Sequence, residues 1–175
     1  MAGGHAFVDE SKHRDYLLVA AVLAPQDLAP ARRAIRGLLL PGQPRLHMKQ
    51  EKDSRRRKIL STISDISPAL HIYRAPPDGR TEVSRREHCL RRLVDDLHRD
   101  GHTRLCLELD QTLRRRDLQT LIEATHAASS KAWLDYRHER ARDEALLAIP
   151  DAVAWAWSKG GDWRRRCAIT TVIDV

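Results

Sequence analysis

The segment Asp15 to Ala24 (DYLLVAAVLA) constrains this chain more than any other: beyond Asp15 it carries no charge, and Pro25 closes it. A strand this apolar cannot show alternate side chains to water, so it belongs inside a sheet covered on both faces. The shorter run HAFVDE at 5 to 10 precedes it, with SKHR between, and the pair reads as a β-hairpin. Helices are therefore required on both sides of the sheet.

The rest of the chain supplies them. Residues 27 to 39 (DLAPARRAIRGLL) repeat apolar residues at helical spacing, with Asp27 as N-cap and Pro30 near the first turn, until PGQP at 41 to 44 stops the chain. RLHM at 45 to 48 reads as a short third strand. Ile59, Leu60 and Ile63 form the apolar stripe of an Arg-rich helix over 53 to 66, LHIYRA at 70 to 75 reads as a strand, and PPDGR at 76 to 80 as a turn. The clearest helix spans 82 to 100, where Cys89, Leu90, Leu93, Val94 and Leu97 recur at three- and four-residue steps before Gly101 caps it. TRLCLELD at 103 to 110 alternates as a strand and places Cys106, Glu108 and Asp110 on one face. A helix over about 115 to 128, a strand near 132 to 137 and an apolar helix over about 144 to 158 follow. GGDWRRR at 160 to 166 reads as a loop, and CAITTVIDV as an edge strand or a sheet-covering segment. Alternating strands and helices after an initial meander give an α/β fold, a mixed sheet with helices on its faces. At 175 residues the chain has the length of one domain, 1–175.

Composition narrows the partners. Thirty-one Lys and Arg against 24 Asp and Glu leave a formal charge of +7, which points to a polyanion. Cys89, Cys106 and Cys167 stand far apart with no CxxC spacing, so neither a disulfide framework nor a zinc knuckle is supported, and a reducing cytoplasm fits best. No signal peptide is visible, and no apolar run long enough to span a membrane exists. GxSxG, GxGxxG and Walker motifs are missing.

Chemistry is concentrated in a few acids. Asp9 ends a strand core, and Asp110 ends another with Glu108 two residues earlier, at the strand ends where open α/β sheets place their sites. Asp151 interrupts the apolar helix LLAIPDAVAWAW, where a carboxylate needs a partner. Each has a bland alternative: a turn cap for Asp9, a helix N-terminus for Asp110, and a cap after Pro150 for Asp151. Taken together, acids from a first strand, a middle strand and a late helix can converge on a hard divalent cation, Mg²⁺ or Mn²⁺. Two such ions about 4 Å apart can activate water and stabilise the leaving oxygen of a phosphodiester. Arg clusters at 55 to 58, 85 to 86, 91 to 92, 114 to 116 and 164 to 166 either contact phosphates or form solvated faces. GGDWRRR combines glycines, an aromatic ring and three guanidiniums, so Arg164, Arg165 and Arg166 are the favoured phosphate contacts. His47 and Lys49 sit beside the short run RLHM; a histidine so placed reads from the residues alone as an ordinary hydrogen-bonded side chain. Cys89, Cys106, Trp155 and Trp157 read as packing.

FVDES at 7 to 11, YLLVAAVL at 16 to 23, RLHMK at 45 to 49, LELD at 107 to 110 and LLAIPDAVAWAW at 146 to 157 resemble, in that order, the bacterial domain of unknown function 3800 (DUF3800) family. The resemblance spans nearly the whole chain and is closest to actinobacterial-type members. It implies a ribonuclease H-like mixed β-sheet with helices on both faces, whose nucleases hold two divalent metals with acids from the first strand, a central strand and a late helix. On that pattern Asp9 and Asp151 bind metal, Glu108 or Asp110 supplies the middle acid, and His47 falls in the family's Leu-His element. Lys12 stands where many relatives have Gly, and Pro150 where they often have a helix former.

The resulting expectation is a cytoplasmic Mg²⁺- or Mn²⁺-dependent nuclease acting on RNA or DNA. Asp9, Asp110 and Asp151 bind metal, Glu108 is the reserve ligand and counts with them among the catalytic acids, and His47, Lys49 and Arg164 to Arg166 face the substrate. Two alternatives stand beside it: a non-catalytic nucleic-acid-binding module, and an interaction protein that takes an acidic partner chain. A homodimer is compatible with either.

Overall fold

A computed structural model describes residues 3–167 and 170–175. Its centre is a six-stranded mixed sheet in the order β5-β4-β1-β2-β3-β6. The hairpin is β1 (His5–Lys12) and β2 (Tyr16–Leu23), paired antiparallel with Phe7 opposite Ala21 and Asp9 opposite Val19. Strand β3 (Ala69–Ala75) runs antiparallel to β2, while β4 (Arg104–Glu108) pairs parallel with β1, β5 (Asp135–Glu139) with β4, and β6 (Thr170–Asp174) with β3.

All eight residues of β2 are buried, and the reason is a core on each face. Leu17, Val19, Ala21 and Leu23 pack with Phe7, Ile72 and Cys106 beneath α1 (Leu28–Arg36), α2 (Asp53–Ile66) and α5 (Ala148–Lys159). Tyr16, Leu18, Ala20 and Val22 pack with Val8, Tyr73 and Leu107 beneath α3 (Glu82–Arg99) and α4 (Arg114–Ala128). The period-2 alternation of a strand sends successive apolar side chains to opposite faces, so an uninterrupted apolar run is what two covered faces demand. The α3 boundaries follow from local chemistry. Thr81 Oγ1 accepts from the Ser84 N–H at the start, and Gly101, at φ +73°, ends the helix with His102 N–H bonded to Leu97 and Gly101 N–H to His98.

Several expectations are corrected. RLHM is not a strand: residues 43–47 are unpaired and run into a 3-10 turn, Met48–Gln50, because the Met48 N–H is given to the Asp151 carboxylate rather than to a ladder. GGDWRRR is not a loop. Gly160 and Gly161, both at positive φ, break the chain from α5, and Gly161–Arg165 forms a short helix α6 on which Asp162 pairs with Arg166 one turn on. Asp27 occupies the N-cap position of α1 but makes no side-chain cap bond. The strand expected near 132 to 137 lies at Asp135–Glu139, and the last long helix is preceded by a 3-10 turn, Ala145–Leu147. Pro150 stands in the first turn of α5, where its missing N–H costs no helical bond. The final run is an edge strand over Thr170–Asp174; Ala168 and Ile169 lie outside the described residues. No helix among the described residues is long and apolar enough to cross a membrane.

Candidate functional site

Strands β1 and β4 lie side by side and parallel, with Val8 beside Leu107 as the last paired residues, so Asp9 and Glu108 are the next neighbours; Glu108 ends β4, whereas β1 runs on to Lys12 against β2, so Asp9 lies inside its strand and not at the end expected from sequence. The chain leaves β1 by a hairpin toward one edge of the sheet and leaves β4 by α4 toward the other. Such a divergence of connections is the topological position at which α/β sheets place their ligand sites. Alternation puts Asp9 on the face of Phe7 and Glu108 on the face of Cys106, the face that α5 covers. Asp151, in the first turns of α5, is delivered to the same place.

The geometry of the three acids is specific. The Asp9 and Glu108 carboxyls are close neighbours. Burial first, then the charge of Glu108, then Asp151 and Glu10, push the Asp9 carboxyl well above the ordinary carboxylate range. Asp9 is only 9% exposed, whereas the Glu108 and Asp151 side chains are 20% and 14% exposed, so the cluster opens to solvent on the side of the latter two. Asp9 Oδ1 accepts from the Glu10 N–H at 2.7 Å and Asp151 Oδ2 from the Met48 N–H at 2.9 Å. Each of these two carboxylates therefore has one oxygen fixed by backbone.

The segment 45–48 lies against these acids. Arg45 Nη1 donates to Glu108 Oε1 at 2.8 Å, and Arg45 Nη2 and Asp151 Oδ1 both approach His47 Nδ1, at 3.1 and 3.2 Å. One nitrogen cannot serve both at once. With the proton on Nδ1 the bond runs to Asp151; with Nδ1 bare, it accepts from Arg45. Arg45 was not evident as a site residue from sequence. Its signal was its position two residues before His47 in an extended stretch, which puts both on one side.

Of the residues singled out in sequence, the structure brings Asp9, Glu108, Asp151 and His47 together. Asp110 is elsewhere. It accepts from the Thr112 N–H and Oγ1 at 2.9 and 2.6 Å, and these bonds, helped by Lys12 and Arg86, hold its carboxyl below the usual range. Asp110 is a turn former ahead of α4, and the middle acid of the cluster is Glu108. Lys49 is exposed on the 3-10 turn. Arg165 and Arg166 are paired with Asp162, while Arg164 lies over the Trp157 ring at 4.6 Å. Cys89 and Cys106 are buried, and burial pushes both thiols up to about 12.

The side chains of the cluster offer carboxylate oxygens, which are hard donors and not the thiolates or thioethers that soft metals take. The three acids form a close pair plus a neighbour. Among the described residues, no group of three or more His, Cys, Asp or Glu side chains is placed so that it could hold a metal ion. No protein-family model matches the chain, and no curated protein matches it.

Proposed function

We propose that this protein is a divalent-metal-dependent nuclease of ribonuclease H-like fold and DUF3800 type, hydrolysing phosphodiester bonds at the Asp9, Glu108 and Asp151 cluster. One observation carries the reading: Asp9 and Glu108 stand side by side on adjacent parallel strands, and the charge of Glu108, with that of Asp151 from the covering helix, opposes ionisation of the buried Asp9. Evolution gains no stability from gathering acids in this way, because like charges near a buried carboxyl oppose ionisation. Such pairs concentrate at sites of chemistry. The acids come from a first strand, an interior strand and the last long helix, which is the provenance that the family resemblance implies.

Asp9, Glu108 and Asp151 would be the residues to hold a divalent cation, which would supply the Lewis acidity for water activation and for the departing oxygen. The chain's own contribution is placement. Backbone N–H groups fix one oxygen each of Asp9 and Asp151, so little freedom remains to be lost when the site is filled. Arg45 supplies positive charge to Glu108 and would compete there with a bound cation, and His47 holds Asp151. Because Arg45 competes with the metal for Glu108, Arg45→Ala is expected to tighten Mn²⁺ binding by about 5–10-fold, ~1–1.4 kcal/mol. The check is the Mn²⁺ concentration that half-saturates the rise in unfolding temperature. An unchanged or higher value contradicts the competition.

The second reading, a non-catalytic nucleic-acid-binding module, draws on the absence, among the described residues, of a group of three such side chains placed to hold a metal ion. Incubating the protein with RNA and DNA oligonucleotides in Mn²⁺ separates the two. Cleavage that stops with chelator supports the nuclease, and binding without turnover, indifferent to chelator, supports the module.

A further inference from the structure

We propose that a single strand of nucleic acid leaves the acid cluster through a basic cleft between the β1–β2 turn and the end of α5, gripped there by its phosphates. The cleft, about 240 Å³, is lined by His13, Arg14, Asp15, Arg74, Trp157 and Arg164, with Ser158 on its wall. It adjoins the acids through two covalent paths. Ser11 lies two residues beyond Asp9 on the same face of β1, and its hydroxyl meets that of Ser158 at 2.5 Å. Ser158 stands seven residues beyond Asp151 on α5, two helical turns along nearly the same face. The cleft therefore begins within about 7–10 Å of the carboxylates along either element.

Two of its cations are not spent internally. Arg74 is paired with Asp174 and feels Asp15, so these three offset one another in part. Arg14 has no acidic partner among the described residues. Arg164 is held by the Trp157 ring and by the Trp157 carbonyl at 2.8 Å, contacts that orient its guanidinium without neutralising it. The Trp157 indole N–H is buried and lacks an acceptor among the described residues. Two guanidiniums without acidic partners, Arg14 and Arg164, call for an anionic oxygen acceptor, and a phosphodiester provides one.

The volume chooses the class of anion. It falls below the ~300–1,000 Å³ that enclose a whole small ligand, so the cleft fits one segment of a longer polymer better than a free nucleotide. A groove that tracks one backbone through Arg, with an aromatic wall, is the form taken by single-strand binding surfaces. The inference rests on the proposed nuclease site for what happens to the strand, but not for whether the strand binds.

The experiment measures binding of a fluorescent single-stranded 12-mer, as RNA and as DNA, and of the same sequence as a duplex, by anisotropy across a salt series with chelator present. The protein is compared with its Arg14→Ala, Arg164→Ala, Trp157→Phe and, as a control on an exposed arginine of α1, Arg33→Ala variants. Single strands are expected to bind at least tenfold tighter than duplex. Arg14→Ala and Arg164→Ala should each weaken single-strand binding several-fold and reduce the salt slope by about 0.7. Trp157→Phe should weaken it less, and Arg33→Ala should not change it. Equal or tighter duplex binding, losses as large for Arg33→Ala as for Arg14→Ala, or displacement by an acidic peptide as effective as by unlabelled strand would overturn the proposal. Chelator keeps cleavage out of the readout, so failure of the nuclease reading leaves this result standing and the converse also holds.

Discussion

Asp9→Asn is expected to lose metal-dependent cleavage by at least ~100-fold, the scale on which removing one charge-stabilising group acts, while gaining stability. The two effects share a cause. The folded environment pushes the Asp9 carboxyl well above its ordinary range, through burial and then through Glu108, Asp151 and Glu10. Between the unfolded value near ~3.9 and that raised value, the native protein binds more protons than the unfolded chain, so stability falls as pH rises across the window. Asparagine keeps the shape and cannot ionise. Its unfolding temperature at pH 7 should exceed that of the unmodified protein, each kcal/mol gained showing as about 2–4 °C in a chain of this size. Below pH ~3.9 the difference should disappear. Thermal unfolding across pH 3 to 8, beside a cleavage assay, checks both. A variant less stable at pH 7 would mean that Asp9 is there to stabilise the fold.

Arg86→Met is the largest expected loss of stability, about 3–5 kcal/mol, a substantial part of the roughly 5–15 kcal/mol that holds a typical domain. Arg86 is 4% exposed and sits on α3 against the other face of the sheet. Its guanidinium makes a two-pronged bond to Asp117 of α4, both arms at 2.8 Å, and reaches Tyr16 Oη and Glu10 Oε2, each at 2.9 Å. His138 of β5 closes the network on Asp117 at 3.1 Å. Methionine fills much of the space but leaves Asp117 and Glu10 without their guanidinium, and breaking a buried pair costs more than forming it gains. Arg86→Met with Asp117→Leu should recover part of the loss, because a fully apolar replacement leaves fewer stranded charges. Urea unfolding of the single and double variants decides. Burial pushes the Asp117 carboxyl up, but Arg86 and His138 pull it further down, below the ordinary range. That stabilisation is present above the unfolded value near ~3.9 and is lost as pH falls through the folded value. Its window is the reverse of the one set by Asp9.

What could be read from sequence was what periodicity encodes. The apolar run after Asp15 announced a strand buried on two faces, and the stripe Cys89, Leu90, Leu93, Val94, Leu97 announced α3, because burial imposes a repeat on residue order. RLHM failed because its extended backbone satisfies no neighbouring strand: a carboxylate 103 residues away takes the Met48 N–H. GGDWRRR failed because Asp162–Arg166 spacing favours a turn of helix that the two glycines obscured. At the site, strand alternation put Glu108 and Asp110 on one face, and nothing in the residue order could choose between them. The strand ends at Glu108, and Asp110 turns to cap Thr112. The Arg86 network escaped sequence reading altogether, since its members stand on β1, β2, α3, α4 and β5 and meet only through tertiary packing.

Calorimetric titration of Mn²⁺ into the intact protein and its Asp9→Asn, Asp151→Asn and Asp110→Asn variants tests the metal assignment most directly. The expected result is saturable binding to the unmodified protein, at least tenfold weaker in Asp9→Asn and Asp151→Asn and unaltered in Asp110→Asn. Binding that survives intact in Asp9→Asn, or that is lost only in Asp110→Asn, contradicts it.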